Sequence, residues 1–275
     1  LALLITGVPV FEAVCLALAG ISTGGYTVTS GALDGQVPMA AIAALAVITF
    51  VASTNIAFLR SLVTRDDFRV DIDIVAMVVM VLALAALFLV GTGGEAGPLP
   101  AIADAIFVVS TTGFTAENSA GHVPLAAVLA AIIGGSVAST AGGLKISRLV
   151  ILSRTALVEL ARMAHPSGVV SVKYHGHKAE NTAMLALWTT VLGYIGFIAI
   201  GVVMLSLLGE PFEGAWSAAT TALANAGPLH DQLSPAHAWA DLSHISQAYI
   251  IVLMVLGRLE VLAGLAAIAA LFRRF

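Results

Sequence analysis

The sequence predicts an all-α integral membrane protein made of repeated units, each a span, a short re-entrant helix, a polar turn and a second span. Three observations carry that class. Hydrophobic residues make up 59% of the 275-residue chain and charged residues 10%, where a soluble domain holds about 25% charged; the mean hydropathy is +1.02. Five stretches with almost no charge, residues 38–59, 74–94, 118–144, 181–209 and 244–272, are long enough to cross a hydrocarbon layer of about 30 Å. Between them one polar turn is written three times: Ile21-Ser22-Thr23-Gly24-Gly25-Tyr26-Thr27, Val109-Ser110-Thr111-Thr112-Gly113-Phe114-Thr115 and Leu223-Ala224-Asn225-Ala226-Gly227-Pro228. Such internal repetition means a repeated structural unit.

Each turn follows a short apolar run, residues 9–20, 98–109 and 211–223. Each run begins at or beside a proline, a favoured first-turn residue, and contains an acid: Glu12, Asp104 or Glu213. Runs of this length suit re-entrant helices better than spans. Loop charge tests the division. With only the five long stretches crossing, Arg60, Arg65 and Arg69 share a side with Lys145, Arg148, Arg154, Arg162, Lys173, Lys178, Arg273 and Arg274. Arg258 alone lies elsewhere. The positive-inside rule makes the basic side cytoplasmic. The opposite face, which carries the three turns, has no Lys or Arg and holds Glu12, Asp34, Glu95, Asp104, Glu117, Glu210, Glu213, Asp231 and Asp241. Counting the short runs as crossings would scatter the basic loops over both faces.

A turn at membrane depth survives only if it is buried in protein or lines a water-filled path. A carbonyl-rich turn beside such a path suits a dehydrating cation, because carbonyl oxygens replace hydration oxygens. Gly25, Gly113 and Gly227 permit backbone conformations closed to other residues, and Thr23, Ser110, Thr111, Thr112 and Asn225 add side-chain oxygens. The Lys/Arg-free outer face would concentrate cations. A single S-T-T-G is an ordinary turn, and the acids could be first-turn charges; three copies on one face point instead to a central ion pore.

The crossing at 118–144 carries Gly134-Gly135-Ser136-Val137-Ala138-Ser139-Thr140-Ala141-Gly142-Gly143-Leu144-Lys145. It begins about 16 Å of helix in from Val123, near mid-bilayer, and each of its glycines costs about 1 kcal/mol against alanine in a helix. The expected outcome is a break. The stretch reads as a loop able to obstruct or clear a path, against the alternative of close packing through small residues. Arg258, in Gly257-Arg258-Leu259-Glu260, should face the interior and find a partner. Glu260, two positions on, points to another helix face and is a poor partner; the loop carbonyls and the hydroxyls of Ser139 and Thr140 are the favoured alternative, ahead of snorkelling to an interface.

The basic helix-compatible run to Arg162 suits anionic headgroups. Lone Cys15 excludes an intrachain disulfide. No zinc-ligand spacing or phosphate loop is present. A serine hydrolase using Ser136 or Ser139 would need a base at the same depth, and no His lies in the apolar core of a span. A secondary carrier would show paired broken helices in inverted halves, whereas the repeats here run in one direction.

The motifs S-T-T-G-F-T at 110–115, G-G-S-V-A-S-T-A-G-G-L-K at 134–145, A-N-A-G-P at 224–228 and L-G-R-L-E at 256–260, with Thr54-Asn55 and His165-Pro166, run along nearly the whole chain. Together they resemble the TrkH/KtrB potassium-uptake family, most closely its TrkH branch. The resemblance implies span–pore helix–filter turn–span units around a central pore. Residues 1–73 would supply the second repeat from its pore helix onward, 74–180 the third and 181–275 the fourth, so that the chain reads as a fragment without the first repeat. It implies filter positions at Ser22, Thr23, Gly24, Gly25, Ser110, Thr111, Thr112, Gly113, Asn225, Ala226 and Gly227, with K+ at Thr23, Gly24, Thr111, Thr112, Asn225 and Ala226. It implies an intramembrane gate of Gly134, Gly135, Ser139, Thr140, Gly142, Gly143, Lys145 and Arg258.

The expected function is K+ uptake across a bacterial inner (plasma) membrane, with filter turns outside and basic loops and C-terminus cytoplasmic. The alternatives are a Na+ or mixed monovalent cation transporter, or a secondary carrier for another solute. The family also implies a homodimer on a cytosolic nucleotide-binding regulatory subunit of the TrkA/KtrA type. Neither enzyme activity, an organic cofactor nor nucleic acid is expected. Two departures stand out: Leu229 where the family usually has Gly after Pro228, and Ala138 for a common Gly.

Overall fold

The computed structural model describes residues 1–28, 33, 35–64, 72–117, 119–164, 173–174, 177–178 and 181–259. The first helices are α1 (Ala2–Ile5), α2 (Val10–Ser22), α3 (Met39–Ala52), α4 (Ile56–Thr64) and α5 (Ile72–Gly91). The middle of the chain forms α6 (Pro98–Val109), α7 (Ser119–His122), α8 (Pro124–Ile133) and α9 (Ile146–Ala164). The remainder forms α10 (Asn181–Leu207), α11 (Phe212–Ala224), α12 (Gly227–Leu233) and α13 (His244–Arg258), with 3-10 turns at Pro235–His237 and Trp239–Asp241 between the last two. Within the polar stretch after α9, Lys173 and Tyr174 pair antiparallel with Lys178 and His177.

Two described helices are long and apolar enough to cross a membrane, Ile72–Gly91 and Met184–Leu207. In α5, Met77, Val81, Leu84, Ala85 and Phe88 are buried at helical spacing, while Val75, Val78, Val79 and Leu82 are exposed. A helix apolar on both faces needs lipid, not water, on the outer one. The short helices α2, α6 and α11 have 13, 12 and 13 residues, about 18–20 Å of rise. They open at Pro9, Pro98 and Pro211 and agree with the predicted runs to within two residues. Helix α11 buries every residue from Ser217 to Ala224, which its run of small side chains allows.

The hydrophobic core gathers around these three helices. Leu16 and Ala19 of α2 pack with Ile42 and Leu45 of α3. Ala101, Ala105 and Val108 of α6 pack with α5 and α8, and Ala215, Ala218 and Ala222 of α11 with α10 and α13.

Two predicted spans differ from a continuous helix. The 38–59 stretch breaks at residues 53–55, between α3 and α4. The 118–144 stretch becomes α7, α8 and a helix-free segment from Gly134 to Lys145, as its glycines predicted. Of the 244–272 stretch, the helix is described through Arg258; Glu260 and residues 261–272 lie outside the described residues, as do Asp34, Arg65, Arg69, His165, Pro166, Arg273 and Arg274.

Gly257 lets α13 approach α11: a Cβ there would stand 2.0 Å from the Leu223 carbonyl oxygen, whereas one on Gly196 of α10 would meet nothing within 4 Å. Gly257→Ala is expected to destabilise by about 1–3 kcal/mol through overpacking, and Gly196→Ala to stabilise by about 0.5–1 kcal/mol. Thermal midpoints in detergent check the contrast, and equal midpoints would refute the close-approach account.

Candidate functional site

Helices α2, α6 and α11 finish alike. Each runs into a left-handed residue that is not glycine: Thr23 (φ 51°), Thr111 (φ 57°) and Asn225 (φ 56°). Asn tolerates this region, but a β-branched Thr there is a genuine outlier, and such strain persists only where the surroundings over-determine it. The surroundings here are specific. Thr23 Oγ1 donates to the Thr140 carbonyl at 2.8 Å, Thr111 Oγ1 accepts from the Gly142 N–H at 2.6 Å, and Asn225 Nδ2 donates to the Met254 carbonyl at 3.2 Å. Two residues after the first two of these, Gly25 (φ 71°) and Gly113 (φ 73°) are again left-handed. Gly227 instead opens α12.

The turns meet each other. A Cβ on Gly25 would stand 1.9 Å from the Thr112 carbonyl oxygen and 2.8 Å from Pro228 Cγ, and one on Gly113 3.0 Å from the Leu229 N and 3.3 Å from the Ala226 carbonyl oxygen. At these two positions only glycine fits both the φ and the space. Leu229, where the family usually has Gly, is fully buried in the core beside α6.

Beneath the turns lies the 134–145 loop. Its base closes on itself, with Leu144 N bonded to Ile132 O at 2.8 Å and Ile146 N to Gly135 O at 2.9 Å. The break after α3 leaves helix-end carbonyls free, and the loop takes them: Ser136 N bonds Ser53 O at 3.0 Å and Thr140 N bonds Ala52 O at 3.3 Å. Two cations hold loop carbonyls. Arg258 donates to Thr140 O at 2.9 Å, the predicted kind of partner. Lys145 donates to Ser139 O at 3.4 Å and also to Ala141 O and is buried within the loop. Ala138 holds φ 58°, a conformation that the family's glycine would adopt without strain. Ser139 Oγ donates to the Ser136 carbonyl at 2.6 Å, a structural turn rather than an activated nucleophile.

All three turns and Arg258 line one open cavity of about 970 Å³. Ser22, Thr23, Gly24, Gly25, Gly113, Asn225 and Gly227 face it; Ser110, Thr111, Thr112 and Ala226 do not contribute to its wall and are fully buried. The hydroxyls of Ser110, Thr111 and Thr112 are turned away from the cavity: Ser110 Oγ pairs with Thr112 Oγ1 at 2.8 Å and Thr111 Oγ1 holds the loop. The oxygens that the turns can offer a cation are therefore backbone carbonyls and the side chains of Ser22, Thr23 and Asn225, which line the cavity.

The acids are corrected too. Asp104 is buried, its carboxylate accepting from the Ala116, Ser119 and Glu117 N–H groups at 2.5, 3.0 and 3.4 Å; it anchors the segment after the turn instead of attracting ions. Glu12 is half-buried and Glu213 exposed. Of the outer acids, Asp231 alone among the described residues lines the cavity.

A family profile described as TrkH, cation transport protein, matches residues 100–272. The chain belongs to the TrkH family. It is 26% identical over 291 aligned residues to the Trk system potassium uptake protein TrkH of Salmonella typhimurium, covering 100% of this chain and 59% of that relative. It is 31% identical over 175 residues to the Trk system potassium uptake protein TrkI of Halomonas elongata, covering 62% and 35%. The crystal structure of the potassium transporter TrkH from Vibrio parahaemolyticus superposes with a TM-score of 0.85 at 23% identity, over 97% of this chain and 60% of that one. The fold is thus that of an all-α membrane transporter, and this chain spans about 60% of the solved chain's length.

One part of this TrkH-family chain carries no recognisable sequence signal. The segment from α12 to Asp241 folds over the turns around His230, which is fully buried. His230 Nε2 donates to the His237 carbonyl at 2.7 Å. Its Nδ1 accepts from Ser217 Oγ at 2.7 Å, which pairs with Ser234 Oγ at 2.9 Å. The Trp239 ring lies 4.2 Å from the imidazole. Neither His230, Gln232 nor Trp239 stands at a patterned spacing, and only packing reveals them.

Two outcomes are expected. Asp104→Asn opposes an amide donor to backbone donors and should lower stability by about 1.5–3 kcal/mol, the worth of hydrogen bonds to a charged group, read as a lower thermal midpoint. Burial pushes His230 below its usual value of 6.5, against the opposing pull of the His237 carbonyl and the Asp231 and Glu210 charges. Above about pH 6.5 the ring is neutral whether packed or released. As pH falls below that value the released ring takes up a proton that the packed ring refuses, so the packed form loses stability. Hydrogen exchange across 228–241 should be flat above about pH 6.5 and quicken below it after correction for intrinsic rates; corrected protection unchanged down to pH 5 would refute this.

Proposed function

We propose that this chain builds part of the pore of a potassium-uptake protein, with K+ passing down its electrochemical gradient past backbone carbonyls of the three turns. The convergence of three left-handed helix-end turns on one cavity carries the reading. Carbonyl oxygens there can replace the hydration shell of an ion the size of K+, and the relatives are named as potassium uptake proteins. The filter positions are Ser22, Thr23, Gly24, Gly25, Gly113, Asn225 and Gly227, with Ser110, Thr111, Thr112 and Ala226 as the backing layer. The units 1–73, 74–180 and 181–275 each contribute one turn. The acidic face is external and the basic loops cytoplasmic. A homodimer on a cytosolic nucleotide-binding subunit is the assembly we favour.

Gly134, Gly135, Ser139, Thr140, Gly142, Gly143, Lys145 and Arg258 form the gate. The loop lies under the turns, and Arg258 puts a positive charge on the cavity wall. Opening must break the bonds that Thr140 makes with Thr23 and Arg258.

The test is growth of a potassium-uptake-deficient bacterium at low K+, using the full-length gene that encodes this chain. The wild type should rescue growth. Gly113→Ser should abolish rescue, because φ 73° and a neighbouring N at 3.0 Å forbid a side chain. Arg258→Gln, which loosens Thr140, should raise unregulated uptake several-fold. Rescue by Gly113→Ser would discard the filter assignment. Failure of the wild type, once it is present in the membrane with its partner subunit, would shift the cargo to Na+ or another solute.

A further inference from the structure

Two carbonyl oxygens at the cavity are already held by side chains from outside the turns. Gln232 Nε2 donates to the Gly113 carbonyl at 2.7 Å, and Trp239 Nε1 donates to the Gly227 carbonyl at 2.7 Å. Both donors line the same cavity as the glycines they hold. Neither is free to drift. Asp231 accepts from the Trp239 N–H at 3.0 Å, the Trp239 ring rests on His230, and Gln232 lies on the same short helix as buried His230. A turn with left-handed residues has several backbone orientations close in energy, so its carbonyls need an external hold to keep one direction.

We propose that Gln232 and Trp239 are positioning residues that set ion selectivity by fixing the Gly113 and Gly227 carbonyls, an inference that rests on the filter reading above. The physical basis is the second lone pair. The Gly113 carbonyl, accepting one N–H, can still offer its other lone pair to a cation; the Gly227 carbonyl, in the first residue of α12, also accepts within its helix, so Trp239 acts there by fixing the helix start beside the cavity. Gln232 restrains the Gly113 oxygen from swinging inward and draws electron density from it. A restrained, weaker ligand favours a large cation over a small one, because the small cation gains most when oxygens close in around it. Freed oxygens would collapse onto Na+.

The experiment is 86Rb+ uptake into proteoliposomes holding the full-length protein with its partner subunit, with Na+ as competitor and uptake normalised to protein. Gln232→Met removes the amide donor at similar length, and Trp239→Phe removes the N–H while keeping a ring over His230. Each is expected to lower the Na+ concentration that halves uptake by about three- to tenfold, the scale of one hydrogen bond, and to raise the KM for Rb+ with little change in maximal rate. Gln232→Glu keeps an oxygen but no donor and should not restore selectivity. If one variant fails to reach the membrane, the other decides. Unchanged Na+ competition, or loss of maximal rate alone, would mean that the contacts are merely structural and would overturn the proposal. Gly113→Ser, run alongside, separates the two readings. If it abolishes Rb+ uptake or alters Na+ competition while the donor variants leave competition unchanged, the filter stands and this inference falls; if it leaves both uptake and competition unchanged, the filter reading falls.

Discussion

The carbonyl oxygen of Thr140 accepts from the Thr23 hydroxyl at 2.8 Å and from the Arg258 guanidinium at 2.9 Å. One atom of the loop thereby ties the first turn, the loop and the last described helix together. The need for such a contact is dictated by the medium. Hydrocarbon offers no hydrogen bonds, so a helix-free segment at membrane depth must find every partner inside the protein. The loop meets much of that need by taking the end carbonyls of α3, the hydroxyl of Thr111 and the cations of Lys145 and Arg258, while the buried Ser136 hydroxyl is left without a partner.

The same constraint explains why the turns are built from strained residues. A glycine at position 23 or 111 would adopt the left-handed conformation without penalty, but it would carry no hydroxyl to reach Thr140 or Gly142. Threonine accepts an unfavourable φ and returns a hydrogen bond to the distant loop. Glycine is kept two residues on, at 25 and 113, where a side chain would collide with the neighbouring turn. Strain and close approach therefore alternate within four residues, and both are needed to bring three turns to one cavity.

Charge is used in two distinct ways around that cavity. Below, the guanidinium of Arg258 is fixed on a carbonyl and adds a positive wall. Above, acids are sparse at the wall itself: Asp104 turns inward onto three N–H groups, and Asp231 holds the backbone of Trp239. Attraction by carboxylates is thus less prominent than the acidic outer face suggested, and orientation of backbone dipoles is more so.

Length, apolarity and the thrice-written turn were enough to fix helix type, the three short helices and the break after Ile133, because each is set by local composition and glycine placement. The kind of partner Arg258 takes was legible because a residue two positions on in a helical run, Glu260, is expected on another face, and the loop carbonyls were the acceptors at hand. The break at 53–55 was not, because Ser-Thr-Asn within an apolar run is compatible with a helix until the loop competes for its carbonyls. Asp104 looked like its counterparts Glu12 and Glu213, and only the return of Ala116, Glu117 and Ser119 over α6 distinguishes it. His230, Gln232 and Trp239 were silent for the same reason. Their roles depend on which carbonyl lies within about 3 Å of a side chain, a relation between distant parts of the chain that tertiary packing alone decides.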